Sequence, residues 1–204
     1  DAFSTRWNYH LLSSPGYYLV MTNYTGSTGF GEKFADDIER DVLRGPALET
    51  LEAVTEAAKT YPQMDLTRQC AAGASYGGYL TNWYNGTTSH FRCLVTHAGA
   101  VNNESQYGFN DGGIDRELRM GAPLWETGKG QWFDQSPIRY SKNWKTPNLI
   151  TQGELDYRVP IAESMTTFKL MQRLQIPARL VVFPDEGHWI LKGPNSRKHM
   201  EEVL

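Results

Sequence analysis

The chain carries only two cysteines, Cys70 and Cys93, in 204 residues. Two thiols exclude a disulfide-framed scaffold and any zinc site built on cysteine. Neither sign of charge dominates, with 20 Lys+Arg against 23 Asp+Glu and a net charge of −3. A nucleic-acid binder would show a basic excess or stripe, so that class is set aside. No apolar run reaches the ~18 residues of a spanning helix, so no membrane partner is expected. There is no repeat and no low-complexity tract. No spacing of His or carboxylates suggests a metal, and no cofactor is expected. Hydrophobic residues make up 40% of the chain and aromatic residues 12%. Aromatic rings bury large areas, so a sizeable core is within reach. The start Asp1-Ala2-Phe3-Ser4 carries neither Met nor leader, and Val203-Leu204 falls inside a helical pattern. The chain therefore reads as part of a longer protein, with targeting signals expected outside it.

Apolar strand-like runs alternate with helical patterns, which predicts an α/β fold with a mostly parallel sheet and helices on both faces. Strands are expected at 17–21, 69–73, 91–97, 148–152 and 178–183. Helices are expected at 33–43, at 47–60 beyond Gly45-Pro46, and at 77–86. Another follows from the stripe Ile161, Met165, Phe168, Met171 and Leu174, and a last one starts near Asn195. Residues 100–145 show no period and read as short helices and loops. Cys70 and Cys93 fall on neighbouring strands. Their first reading is a pair of buried free thiols, and a bridge between them is the alternative.

The segment Gly73-Ala74-Ser75-Tyr76-Gly77-Gly78 contains G-x-S-x-G between a strand and a helix. Such an elbow strains the central residue and projects its hydroxyl above the sheet edge. Residues 73 and 77 must be small where the turn packs on backbone, and the Tyr76 N–H points at a developing oxyanion. A serine hydroxyl needs a base to take its proton. In the order serine, acid, histidine, His10 comes too early and His90 lies too near the nucleophile helix. His97 ends a strand before any plausible acid, and His199 falls on a solvated helix face. His188 remains, in a loop after the strand 178–183. Asp156, after the strand 148–152, is the orienting acid, with Glu154 and Asp185 as less suitable neighbours. Gly26-Ser27-Thr28-Gly29-Phe30-Gly31-Glu32 imitates a phosphate loop, but Glu32 stands where lysine is required, and the glycine spacing also fails the dinucleotide pattern. Asn23, Asn85 and Asn103 each head an N-x-S/T sequon.

GASYGGYLTNW, TNYTGSTGFG, QGELDYRVP and VVFPDEGHW together resemble the catalytic domain of the prolyl oligopeptidase family of serine peptidases, nearest the dipeptidyl-peptidase V and acylaminoacyl-peptidase branch. The likeness runs from about residue 3 to the end. It implies an α/β-hydrolase fold with its first strands missing, and residues 1–204 as one partial catalytic domain. The expected activity is release of dipeptides from free N-termini of short peptides. The rivals are an acylaminoacyl peptidase, a carboxylesterase, and an inactive hydrolase-fold binding module. The resemblance also implies Ser75, Asp156 and His188 as the triad and the Tyr76 amide as one oxyanion donor. It further implies substrate contacts from Arg158 and Val159, and a pocket lined by Tyr107 and Val101. Arg158 reads equally as a surface residue and Tyr107 as core. A β-propeller and a His-Gly-Gly-Pro segment are expected upstream, a homodimer is implied, and a secreted or periplasmic location is favoured.

Overall fold

A computed structural model describes residues 6–111, 114–126 and 128–204. The helices are α1 (Tyr9–Ser13), α2 (Glu32–Asp36), α3 (Arg44–Thr60), α4 (Tyr76–Thr87), α5 (Asn103–Phe109), α6 (Ile114–Met120), α7 (Ile161–Arg173) and α8 (Gly193–Val203). The strands are β1 (Cys70–Ala74), β2 (Cys93–His97), β3 (Asn148–Gly153) and β4 (Ala178–Phe183). They form one parallel sheet in the order β1-β2-β3-β4.

Side chains alternate across a strand, so residues in register share a face. Thr96 on β2 meets Thr81 of α4, and Ile150 on β3 packs with Met171 of α7. Thr96 and Ile150 are in register, which puts α4 and α7 on one face. His97 and Thr151 are the next registered pair and look the other way, where Thr151 meets His199 of α8. Helices therefore cover both faces, as a parallel sheet requires. One core gathers Leu43, Leu80, Trp83 and Leu94 with Trp132; the second holds Val101, Trp144, Ile150 and Met171.

Several expectations need correction. Residues 17–21 have the composition of a strand but form no ladder among the described residues. Tyr17, Tyr18, Leu19 and Met21 are instead exposed. An extended segment without a hydrogen-bonded neighbour is not a strand, whatever its side chains prefer. Gly45 and Pro46 do not separate two helices. They sit in the first turn of α3, where the N–H that proline lacks has no intrahelical acceptor anyway. The span 100–145, by contrast, holds the short helices expected there, α5, α6 and a 3-10 turn at Pro137–Asn143.

The two cysteines are not buried free thiols. Cys70 and Cys93 are bonded to each other, with their Cα atoms 4.8 Å apart. They are direct partners in the β1–β2 register, so both side chains leave the same face at the same height. Cys70 is exposed and Cys93 half-buried, because the pair lies at the start of the strands and outside both cores. The bridge closes a loop with a sequence separation of 23. Reduction should lower stability by about 3 kcal/mol through the freed unfolded chain. Urea unfolding with and without reductant measures this, and an unchanged midpoint would contradict it.

Candidate active site

β1 ends at Ala74 and α4 begins at Tyr76, so the whole turn is made at Ser75. Its φ of 58° and ψ of −114° lie where non-glycine residues are strained. Close packing holds the strain in place. A Cβ on Gly73 would lie 2.3 Å from the carbonyl carbon of Gly77, and one on Gly78 would lie 2.6 Å from the carbonyl oxygen of His97. A Cβ on Gly77 meets nothing within 4 Å, so the steric demand expected at both 73 and 77 falls on 73 alone. The Ser75 N–H donates to the His97 carbonyl at 2.9 Å. The Tyr76 N–H opens α4, where helix geometry provides no acceptor for it.

The three side chains picked from the sequence converge. Ser75 Oγ lies 2.8 Å from His188 Nε2, and His188 Nδ1 lies 2.8 Å from Asp156 Oδ2. A carboxylate only accepts, so Nδ1 carries the proton, and Nε2 is free to accept from the serine. The Asp156 side chain is fully buried and that of His188 is 14% exposed. Burial pushes the Asp156 carboxyl up. The hydrogen bond from His188 and the amides of Val159 and Arg158 outweigh it and hold the group below the usual range. Asp156 is ionised at neutral pH on that account.

Three supporting residues escaped the sequence. Gln152 donates to Asp156 Oδ2 at 3.0 Å, and its own oxygen accepts from Ser164. Glu186 accepts the amides of Leu191 and Lys192 and so shapes the loop that carries His188. Glu163 accepts the amides of Val101 and Asn102 at 2.7 and 2.8 Å, fixing the chain after β2. Gln152 and Glu186 lie within QGELDYRVP and VVFPDEGHW, but those motifs mark only the acid and the histidine, and Glu163 has no motif around it. Two glycines were equally silent about their role. A Cβ on Gly153 would lie 2.0 Å from the Gly187 carbonyl oxygen, so the acid loop and the histidine loop touch backbone to backbone. Asp185 bonds Lys192 and Asn195 at the surface, and Glu154 is exposed, in keeping with their rejection.

The expected substrate contacts fare differently. Val101 has no exposed surface and packs in the second core, so it lines no open pocket. Val159 is 5% exposed, and its amide is spent on Asp156. Tyr107 is half-buried against Trp132 and donates to Glu117. Arg158 reaches out beside Asp111 at 2.8 Å and stays largely exposed. A cleft of about 370 Å³ opens beside the Tyr76 ring, walled by Tyr24, Ile38, Glu39 and Arg119. Neither Ser75 nor His188 is among its walls. Among the described residues no group of His, Cys, Asp and Glu is placed to hold a metal, and no helix is long and apolar enough to cross a membrane.

His199 is not on a solvated face. It is 4% exposed, lies 3.1 Å from Thr151 Oγ, and takes the edge of Trp7. The helix turns this position inward, but its neighbours Lys198 and Glu201 gave no apolar pattern to show it. His97 is buried as well. Burial, helped by His199, lowers its pKa to about 4, and burial also lowers that of His199.

A strained serine at a strand-to-helix elbow, with a histidine and an aspartate on later loops at the same sheet edge, defines a serine hydrolase of the α/β-hydrolase fold. Residues 3–204 match the model of the prolyl oligopeptidase family. The chain belongs to that family, whose members are serine peptidases. It is 33% identical to dipeptidyl-peptidase 5 of Arthroderma otae over all of this chain and 28% of the relative. It is 34% identical to dipeptidyl-peptidase 5 of Porphyromonas gingivalis over 95% of this chain and 29% of the relative. The solved acylaminoacyl peptidase of Pyrococcus horikoshii superposes with a TM-score of 0.86 at 27% identity, covering 93% of this chain and 31% of that one. The chain thus spans under a third of the length of these relatives.

The elbow and the buried histidines each carry an expected outcome. Gly73→Ala drives a methyl into the Gly77 backbone and should cost more than about 3 kcal/mol, whereas Gly77→Ala should change stability by less than about 1 kcal/mol. Thermal unfolding of the two variants compares them directly, and equal losses would refute the close-approach argument. His97 and His199 bind protons less tightly folded than unfolded. Stability should therefore be complete above about pH 6.5 and fall as the pH drops towards 4. The His97 shift alone amounts to about 3 kcal/mol. Urea midpoints from pH 7.5 to 4.5 test this, and a flat series would count against it.

Proposed function

We propose that this chain supplies the catalytic machinery of a serine peptidase that acts on short peptides and releases dipeptides from free N-termini. The observation that carries the proposal is the unbroken series Ser75 Oγ, His188 Nε2, His188 Nδ1 and Asp156 Oδ2, with both hydrogen bonds at 2.8 Å.

Ser75 Oγ attacks the scissile carbonyl carbon while its proton passes to His188 Nε2. Asp156 holds the ring in the tautomer that makes this possible and stabilises the imidazolium. The negative charge on the tetrahedral oxygen lies at the N-terminus of α4, where the Tyr76 N–H is aimed. His188 then gives its proton to the leaving amine, and the carbonyl carbon stays on Ser75 as an ester. Water, deprotonated by the same imidazole, releases the acid and restores the serine. The exposed guanidinium of Arg158, two residues after the acid, supports a role in binding a substrate carbonyl, whereas the packing of Tyr107 against the first core offers no such support.

The similarity to dipeptidyl-peptidases 5 supports the exopeptidase mode. The likeness in fold to an acylaminoacyl peptidase favours a second reading, cleavage after a blocked residue. Both readings share the triad, so only substrates separate them. The Cys70–Cys93 bridge supports an oxidising compartment, as outside the cytosol.

In the intact protein, Ser75→Ala should lower kcat by at least ~10⁴-fold and abolish labelling by a fluorophosphonate, with Asp156→Asn giving a loss of ~10⁴-fold. Retained labelling of Ser75→Ala would refute the nucleophile. A panel of free-amine dipeptide, N-acetyl amino acid and nitrophenyl ester substrates should favour the first. Preference for the acetylated substrate would turn the assignment to the second reading.

A further inference from the structure

Ser75 follows β1 and His188 follows β4, and these strands stand at opposite ends of the four-stranded order. Two strands separate the loops that must hold a proton donor and acceptor 2.8 Å apart. One residue reaches both. His97, the last residue of β2, is 1% exposed. Its carbonyl oxygen accepts the Ser75 N–H at 2.9 Å, and its ring Nε2 lies 3.1 Å from the carbonyl oxygen of His188.

The direction of each bond in this cluster follows from elementary chemistry. A carbonyl oxygen only accepts, so His97 Nε2 carries the ring proton and donates it to His188. His97 Nδ1 is then an acceptor, and the Thr151 hydroxyl 2.9 Å away is its donor. With its proton committed, Thr151 Oγ accepts from His199 Nε2 at 3.1 Å. β2, β3 and α8 are thereby tied into one directed chain that ends on the main chain of residue 188. Trp189, the next residue, stacks over the His97 ring at 6.3 Å between centroids.

We infer that His97 is a positioning residue for proton transfer. It fixes the backbone of residue 75 through its carbonyl and the backbone of residue 188 through its ring, and so sets the distance between nucleophile and base. This rests on the reading of Ser75 and His188 given above. His97 touches neither substrate nor reacting atoms. Its loss should therefore act on the rate of proton transfer and leave substrate binding alone. Displacement of a reacting group by about 1 Å is enough for a loss on the order of 10²-fold.

Three variants of the intact protein test this, each read as kcat, KM and the rate constant of fluorophosphonate labelling. His97→Leu removes both ring contacts and should lower kcat and the labelling rate ~10- to 100-fold with KM changed less than ~3-fold. His97→Gln retains one donor and one acceptor and should recover most of the rate. Thr151→Val keeps the shape but removes the hydroxyl that fixes the ring, and should lower kcat ~3- to 10-fold. Folded His97→Leu with a parental kcat and labelling rate would overturn the inference, as would an equal loss in His97→Gln. If His97→Leu does not fold, Thr151→Val decides, and a parental kcat there overturns it. Ser75→Ala, run alongside, separates the two failures. Labelling that survives Ser75→Ala defeats the reading of the nucleophile, whereas labelling that Ser75→Ala abolishes but His97→Leu leaves fast defeats only the role of His97.

Discussion

Beneath the rim of the sheet the main chain meets itself where no side chain fits. Gly73 lies against Gly77, Gly78 against Gly99, and Gly153 against Gly187. The first contact forces the reversal from β1 into α4 within a single residue, which leaves Ser75 at a positive φ. The second seats the start of α4 on the end of β2. The third presses the acid loop onto the histidine loop. The distances in the Ser75–His188–Asp156 series depend on these approaches, together with the hydrogen bonds by which His97 holds the main chain of residues 75 and 188. The hydrogen bonds of the series then act on a geometry already narrowed by these contacts.

The electrostatics follow the same plan. Asp156 is buried among donors, with two amides on one oxygen and Gln152 and His188 on the other. Removing it from water is unfavourable, and the four donors more than offset this. The negative charge is thus held where an imidazolium would form and is kept from solvent that would weaken it. His97 and His199 show the opposite case. They lie behind the site without a carboxylate hydrogen bond, so burial keeps them neutral and they serve as hydrogen-bonding groups.

Much of this was legible in the sequence because the chemistry leaves local marks. A serine between glycines, after an apolar run and before a helix, has few structural meanings, and the order of strands leaves His188 and Asp156 as its partners. The strands β1 to β4 and the helices α4 and α7 were marked by length and period. What was hidden was held by contacts between distant segments. Residues 17–21 have strand composition, but a strand also needs a neighbour, and composition does not report one. Cys70 and Cys93 were known to lie on adjacent strands, but the register that sets them opposite each other was not. Glu163 is an ordinary residue whose importance arises from amides far along the chain, and Gln152 and Glu186 act through loop contacts that no spacing rule announces. His97 was set aside only because it precedes the acid, and His199 was read onto a solvated face, because a buried imidazole chain has no spacing rule. Val101 and Val159 were placed by resemblance at a surface that the packing covers.

Gly77 stands apart from the other glycines of the elbow, since a side chain there would point into open space. The last glycine of G-x-S-x-G can then be replaced here without moving the turn, whereas the first cannot. The five-letter signature thus mixes two kinds of glycine: one that the backbone demands and one that it merely accepts.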